Sequence, residues 1–141
     1  MADKITITLP NKLEYVPVAI ASVWRIADVL GFTVDEADQL MLAVREAATN
    51  VTEHAYNRGD DATFDVILEK IPGGIRVEVK DMGVPFDPDR IPEYVAPTGA
   101  DTLTTEGMGV FLMRAMVDEC TFVNLGPGGK KTQLVKYRKS A

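Results

Sequence analysis

The sequence predicts an α+β domain built as a two-layer α/β sandwich, a mixed and mostly antiparallel sheet covered on one face by helices. Three observations carry this. Residues 63–71 with 75–81, and 121–125 with 132–137, form two pairs of β-branched runs, each pair joined by a short glycine-containing turn, the pattern of consecutive hairpins. Residues 13–30, 34–56 and the stretch from Gly107 carry apolar residues at helical spacing with one apolar face each, so they must layer on the sheet. The chain has 141 residues, enough for one core and too few for two, so 1–141 is read as a single domain.

Taken in order, Ile5-Thr6-Ile7-Thr8-Leu9 alternates and ends at Pro10, which predicts a short strand with one buried face. Val16, Ile20, Val23, Trp24, Ala27 and Leu30 then predict a helix; Pro17 fits only its first turn, and Gly31 suits its C-terminal cap. Thr33-Val34-Asp35-Glu36 has the form of a capping box and opens a long helix that runs out near Tyr56. The two strands at 63–71 and 75–81 turn on Pro72-Gly73-Gly74. Met82 to Glu106 are 25 residues with four of the eight prolines and no periodicity, which predicts a lid with one helical turn near Arg90 to Tyr94. A helix from Gly107, with Val110, Leu112, Met113, Met116 and Val117, precedes the last hairpin, which turns on Gly126-Pro127-Gly128-Gly129.

The composition, 46% hydrophobic and 26% charged, is that of an ordinary globular protein. No apolar run approaches the roughly 20 residues that span a bilayer, and the N-terminus leads into alternation instead of an apolar leader, so a cytoplasmic protein without membrane contact is expected. Single Cys120, placed in the core, agrees with a reducing compartment, and one histidine, His54, with one cysteine supplies no structural zinc site. Fifteen basic against twenty-one acidic residues give a net charge of −6, which argues against a direct nucleic-acid surface. Lys130, Lys131, Lys136, Arg138 and Lys139 are read as the solvated face and end of the last strand.

The chemistry starts on the long helix. Leu40, Met41, Val44, Ala47, Ala48 and Val51 form its apolar stripe, and Glu46 and Asn50, four apart, lie one above the other at the edge of that stripe. A hydrogen-bonded pair on a solvated helix side accounts for these two residues alone. Facing a cavity, the carboxylate would instead take a proton and the amide oxygen would help to hold a hard cation such as Mg²⁺. Asp81-Met82-Gly83 ends a strand: a buried ionised Asp accepts the exocyclic amine of adenine and repels the carbonyl of guanine, while Gly83 lets the backbone approach. An ordinary Asp-x-Gly turn is the alternative. Gly107-Met108-Gly109 enters a helix, where free N–H groups and the helix dipole suit phosphate; a hinge is the alternative. Thr132, on the last strand, would orient a water toward the base, or serve only as a β-favoured residue.

Together, Glu46-x-x-x-Asn50, Asp81-x-Gly83-x-Pro85-Phe86-Asp87 and Gly107-x-Gly109 resemble, in order and approximate spacing, the N box and two glycine boxes of the GHKL ATPases. That superfamily includes gyrase, a heat-shock chaperone, sensor histidine kinases and mismatch-repair ATPases. Ala48-Thr49-Asn50, His54-Ala55-Tyr56, the Pro-Phe-Asp-Pro at 85–88 and the run at 109–119 look most like the bacterial anti-sigma factor serine-protein kinases. The resemblance covers nearly the whole chain; Glu106 stands where many members have another glycine, and residues 95–105 have no match.

The resemblance implies the Bergerat, histidine-kinase-like ATPase fold. It implies Glu46 as general base, Asn50 as Mg²⁺ ligand, Asp81 and Gly83 at adenine, Gly107, Met108 and Gly109 around the phosphates and Thr132 beside the base. Arg90 and Arg114 are candidates to assist, although a solvated or partner-facing role is the better reading of each, and His54 is read as structural. The expected activity is transfer from ATP to a serine or threonine of a STAS-type anti-sigma factor antagonist, with a sigma factor or other output protein as second partner and a possible homodimer. Two other readings remain: a non-catalytic, nucleotide-gated binding module, and an ATPase module of a larger assembly.

Overall fold

The computed structural model describes residues 3–54, 62–87 and 105–139. Eight elements follow one another: β1 (Lys4–Pro10), α1 (Val16–Val29), α2 (Val34–His54), β2 (Thr63–Ile71), β3 (Gly74–Asp81), α3 (Thr105–Met116), β4 (Glu119–Asn124) and β5 (Lys130–Tyr137). The sheet has the order β1-β2-β3-β5-β4, and every pairing in it is antiparallel. Both expected hairpins form, with β4 and β5 each starting two residues earlier than the residue pattern suggests. The last strand of the chain is an interior strand, because β5 enters between β3 and β4.

Alternation along the strands decides what the helices cover. Phe64, Val66 and Leu68 of β2, Ile75, Val77 and Val79 of β3, and Leu134 of β5 are buried on one face together with Leu40, Val44, Ala47, Ala48 and Val51 of α2, as the stripe predicts. The other face carries polar pairs, Glu69 with Arg76 at 2.7 Å, Glu78 with Lys131, and Thr8 with Asp65. From α1, Val16, Ala19, Val23 and Ala27 enter the core, but Trp24 remains 37% exposed, at the border of the stripe. Pro17 lies in the first turn of α1, where its missing N–H costs nothing. Cys120 packs half-buried against the core, as expected.

Two lysines overturn the reading of the basic cluster as solvated. Lys130 and Lys136 are 7% and 4% exposed, whereas Arg138 and Lys139 are exposed as expected. The physical reason is the strand order: on an interior strand, positions 130 and 136 share the covered face with Thr132 and Leu134. Lys136 donates to the Met116 carbonyl at 2.7 Å and to Gln39 Oε1 at 2.9 Å, so it satisfies the C-terminus of α3 and ties that helix to α2. Burial pulls its pKa down, and Asp118 is the leading opposing charge.

The capping box forms as predicted. Glu36 N–H donates to Thr33 Oγ1 at 3.1 Å, and Thr33 N–H donates to Glu36 Oε1 at 2.8 Å. The second oxygen, Oε2, accepts the Lys139 N–H at 2.9 Å, so the box also anchors the chain after β5. The Thr33 N–H, followed by the Lys139 N–H, holds the Glu36 pKa below the ordinary range against the cost of burial. A depressed carboxylate pKa stabilises the fold above the unfolded-state value and loses that contribution as pH falls through the folded value. Thr33→Ala should therefore cost about 1 kcal/mol in chemical denaturation at pH 7. Glu36→Gln should lower Tm at neutral pH, the gap from the parent narrowing as pH drops below the usual glutamate range.

Candidate active site

Glu46 and Asn50 lie on successive turns of α2, both half-buried, at the margin between its packed stripe and solvent. Ala43 and Ala47, on the neighbouring part of the helix surface, are covered, and such small side chains let other elements come close to the helix. α3 does so. A Cβ added to Gly109 would stand 3.2 Å from Glu46 Oε2, tighter than ordinary contact, so the carboxylate lies directly over the backbone of Gly109. Of the residues expected to act together, Glu46 and Gly109 are thus adjacent in space.

The helix start differs from expectation. α3 begins at Thr105, two residues before Gly107, so Gly107 and Met108 sit within its first turn and Gly109 within its second. Glycine's poor helix propensity makes Gly107 look like a boundary, and packing against α2 overrides it. The N–H groups of its first three positions, the last of them Gly107, have no carbonyl partner within the helix and carry the positive end of its dipole.

A second cluster forms where β3 meets β5. Asp81 ends β3 in register with Lys130 and keeps the alternation of Ile75, Val77 and Val79, so it stands on the covered face, 3% exposed. Gly83 N–H donates to Asp81 Oδ1 at 2.7 Å; the Asp-x-Gly turn is real, and it occupies one carboxylate oxygen. Lys130 Nζ lies 3.7 Å from the same oxygen and donates to the Val84 carbonyl at 2.6 Å. Burial pushes the Asp81 pKa up, while the Gly83 N–H and then Lys130 oppose it; burial pulls the Lys130 pKa down, and Asp81 opposes that. Thr132, 5% exposed and paired with Val79, shares this face two residues along.

The turn after Asp81 is fastened to the sheet. Phe86 N–H donates to Asn124 Oδ1 at 2.8 Å, and Asn124 Nδ2 returns a bond to the Phe86 carbonyl at 2.9 Å. The Phe86 ring meets Phe122 edge-on at 5.2 Å, with Lys130 Nζ 5.0 Å from its centroid. Gly129 is required here: its φ is 90°, and a Cβ would fall 2.1 Å from the Asp81 carbonyl oxygen. Arg114 stacks 5.9 Å over Phe122. Arg90 and the helical turn expected at 90–94 lie outside the described residues, as do most of the expected lid and the side chains of His54 and Met108.

Sequence reasoning missed Lys130 and Asn124. Counting back by two from Thr132 identifies Lys130 as facing inward; nothing local marks Asn124. Among the described residues no three Asp, Glu, His or Cys side chains cluster as a metal site. A hollow of about 350 Å³ lies at the far end of β3, lined by Asp3, Lys70, Gly73 and Arg138 among others, away from both clusters.

A sheet of this order, covered on one side by α2 and α3 and bearing polar groups at one end of the covered face, defines a class. The histidine kinase-like ATPase domain family matches residues 9–136, and the chain belongs to it. Its relatives narrow the position within the family to the serine-protein kinases. The chain is 33% identical over 123 residues to serine-protein kinase RsbW of Listeria monocytogenes serotype 4a (strain HCC23), covering 84% of this chain and 78% of that one. It is 30% identical over 140 residues to serine-protein kinase RsbW of Bacillus subtilis (strain 168), covering 96% and 86%. A crystal structure of the RsbU and RsbW domains of a Mycobacterium tuberculosis protein shares the fold, with a TM-score of 0.69 at 19% identity, covering 95% of this chain and 32% of that one. This chain thus spans about a third of that solved chain. No helix among the described residues is long and apolar enough to cross a membrane.

Gly129→Ala should destabilise the fold by about 2 kcal/mol or more, because both its φ and the Asp81 carbonyl exclude a side chain. Gly128→Ala, where a Cβ meets only Leu125 at 3.4 Å, should shift the denaturation midpoint far less.

Proposed function

We propose that this chain is an ATP- and Mg²⁺-dependent protein serine/threonine kinase and anti-sigma factor that phosphorylates a STAS-domain antagonist in a bacterial partner-switching pathway. The observation that carries the reading is the Glu46 carboxylate standing over the Gly109 backbone, with Asn50 one turn along the same side of α2. A proton acceptor, an amide oxygen and the N-terminal part of a helix then meet on one side of the domain. Phosphoryl transfer needs mainly positioning and charge neutralisation, so such a set suffices.

Bound ATP supplies the transferable γ-phosphoryl group, and Mg²⁺ neutralises its charge. Glu46 takes the proton of the acceptor hydroxyl as the oxygen–phosphorus bond forms; the bond to the β-phosphate oxygen breaks, and ADP leaves. Asn50 would offer one hard oxygen to the cation, whose charge would offset that of the phosphates. The free N–H group at Gly107, with Met108 beside it, faces the phosphate oxygens, and Gly109 lets Glu46 approach them. Asp81 accepts the adenine amine on Oδ2, the oxygen that Gly83 and Lys130 leave to a ligand, with Gly83 beside the ring and Thr132 holding a water. The antagonist and a sigma factor, or another output protein, are the expected partners, in the cytoplasm, with a homodimer as one candidate assembly.

With labelled ATP and the purified antagonist, the parent should transfer label to a serine or threonine. Glu46→Ala should cut the transfer rate by about 10²-fold or more, in the range of lost general-base catalysis, while ATP affinity changes little. Retained transfer in that variant would leave a nucleotide-gated binding module as the better description. Gly109→Ala should leave the fold intact and slow transfer by about tenfold or more, because the added methyl displaces the carboxylate; single-turnover kinetics reads it.

A further inference from the structure

We propose that Lys130 is a positioning residue for purine recognition, which keeps Asp81 a pure hydrogen-bond acceptor with a fixed orientation and thereby sets a preference for 6-amino over 6-oxo purines. The inference rests on the reading of Asp81 as the adenine contact. Its own support is geometric. Lys130 and Asp81 face one another across β3 and β5, with side chains 8% and 1% exposed, and the ammonium stands 3.7 Å from Oδ1.

A buried ammonium is costly unless its charge and its donors are used, and this one uses both. Besides Asp81, it bonds the Val84 carbonyl at 2.6 Å and lies 5.0 Å from the centroid of the Phe86 ring. Lys130 therefore joins the carboxylate to the turn that follows it. Gly83 N–H and Lys130 both address Oδ1, which holds the carboxylate from that side and leaves Oδ2 to accept from the purine amine.

The chemical consequence concerns selectivity. An ionised carboxylate only accepts hydrogen bonds, so it pairs with the adenine amine and opposes the guanine carbonyl. A protonated one donates and would accommodate that carbonyl. Burial favours the protonated form of Asp81, and Lys130 is the only cation within ion-pair distance of it among the described residues. A neutral residue at 130 would weaken adenine binding and relax the discrimination together.

Asn124 provides the control. It holds the same turn through two bonds to Phe86 without touching Asp81, so Asn124→Ala loosens the turn and leaves the charge pair in place. Lys130→Gln removes the charge and keeps a donor for Val84. Lys130→Arg keeps the charge.

The experiment is calorimetric titration of the full chain with ADP and GDP, both with Mg²⁺. The parent should prefer ADP; equal affinities there would overturn the reading of Asp81 itself, before any variant is made. Given that preference, Lys130→Gln should lower the ADP-to-GDP affinity ratio by about tenfold or more, the scale of one charge-assisted hydrogen bond. Lys130→Arg should restore the ratio to within about threefold of the parent, less than half of such a bond. Asn124→Ala should weaken both nucleotides alike and leave the ratio in place. A parent-like ratio in Lys130→Gln, or an equal fall in Asn124→Ala, overturns the proposal and leaves Lys130 a structural fastener. Lys130→Met repeats the charge removal without a donor, so the two neutral variants must agree.

Discussion

A carboxylate on the covered face of a sheet has to be compensated where it stands, and Asp81 is the carboxylate around which this end of the protein is arranged. Its cost of burial is met by one N–H two residues on and by a lysine from the neighbouring strand. The same lysine and Asn124 then hold the turn that leaves β3. Sheet, turn and buried carboxylate form one polar unit, so that a change in any part bears on the others.

The other half of the site depends on close helix packing. A glycine on α3 removes the bulk that would hold it off α2 at this point, and Glu46 occupies the edge of that contact. A carboxylate placed on a packed helix edge has few orientations open to it, which is the kind of preorganisation that proton transfer requires. Lys136 contributes from a distance, since it fastens the end of α3 to α2 and so helps to set where Gly109 lies.

The buried polar groups are divided between the ends of the sheet. The capping box of α2, with Lys139 bonded to Glu36, and the Lys136 fastening belong to the end where β5 finishes. Asp81, Lys130 and Gly129 belong to the end where β5 starts. A strand that crosses the covered face thus carries one buried lysine at each end.

Much of this was legible in the residues. The capping box, both hairpins and the burial of Asp81 follow from turn chemistry and alternation, which act over a few residues. The grouping of Lys130 and Lys136 with Arg138 and Lys139 misled, because adjacency in sequence was taken for a shared exposure. The start of α3 was misplaced because glycine propensity is weaker than helix docking. By itself the sequence determined which elements form and which chemical groups they carry, since these are local matters. Only the tertiary structure decided that the last strand lies inside the sheet, that its lysines are buried, and that Glu46 meets Gly109. Those outcomes depend on strand order and on how α3 seats against α2, and contacts between distant segments leave no short-range signal.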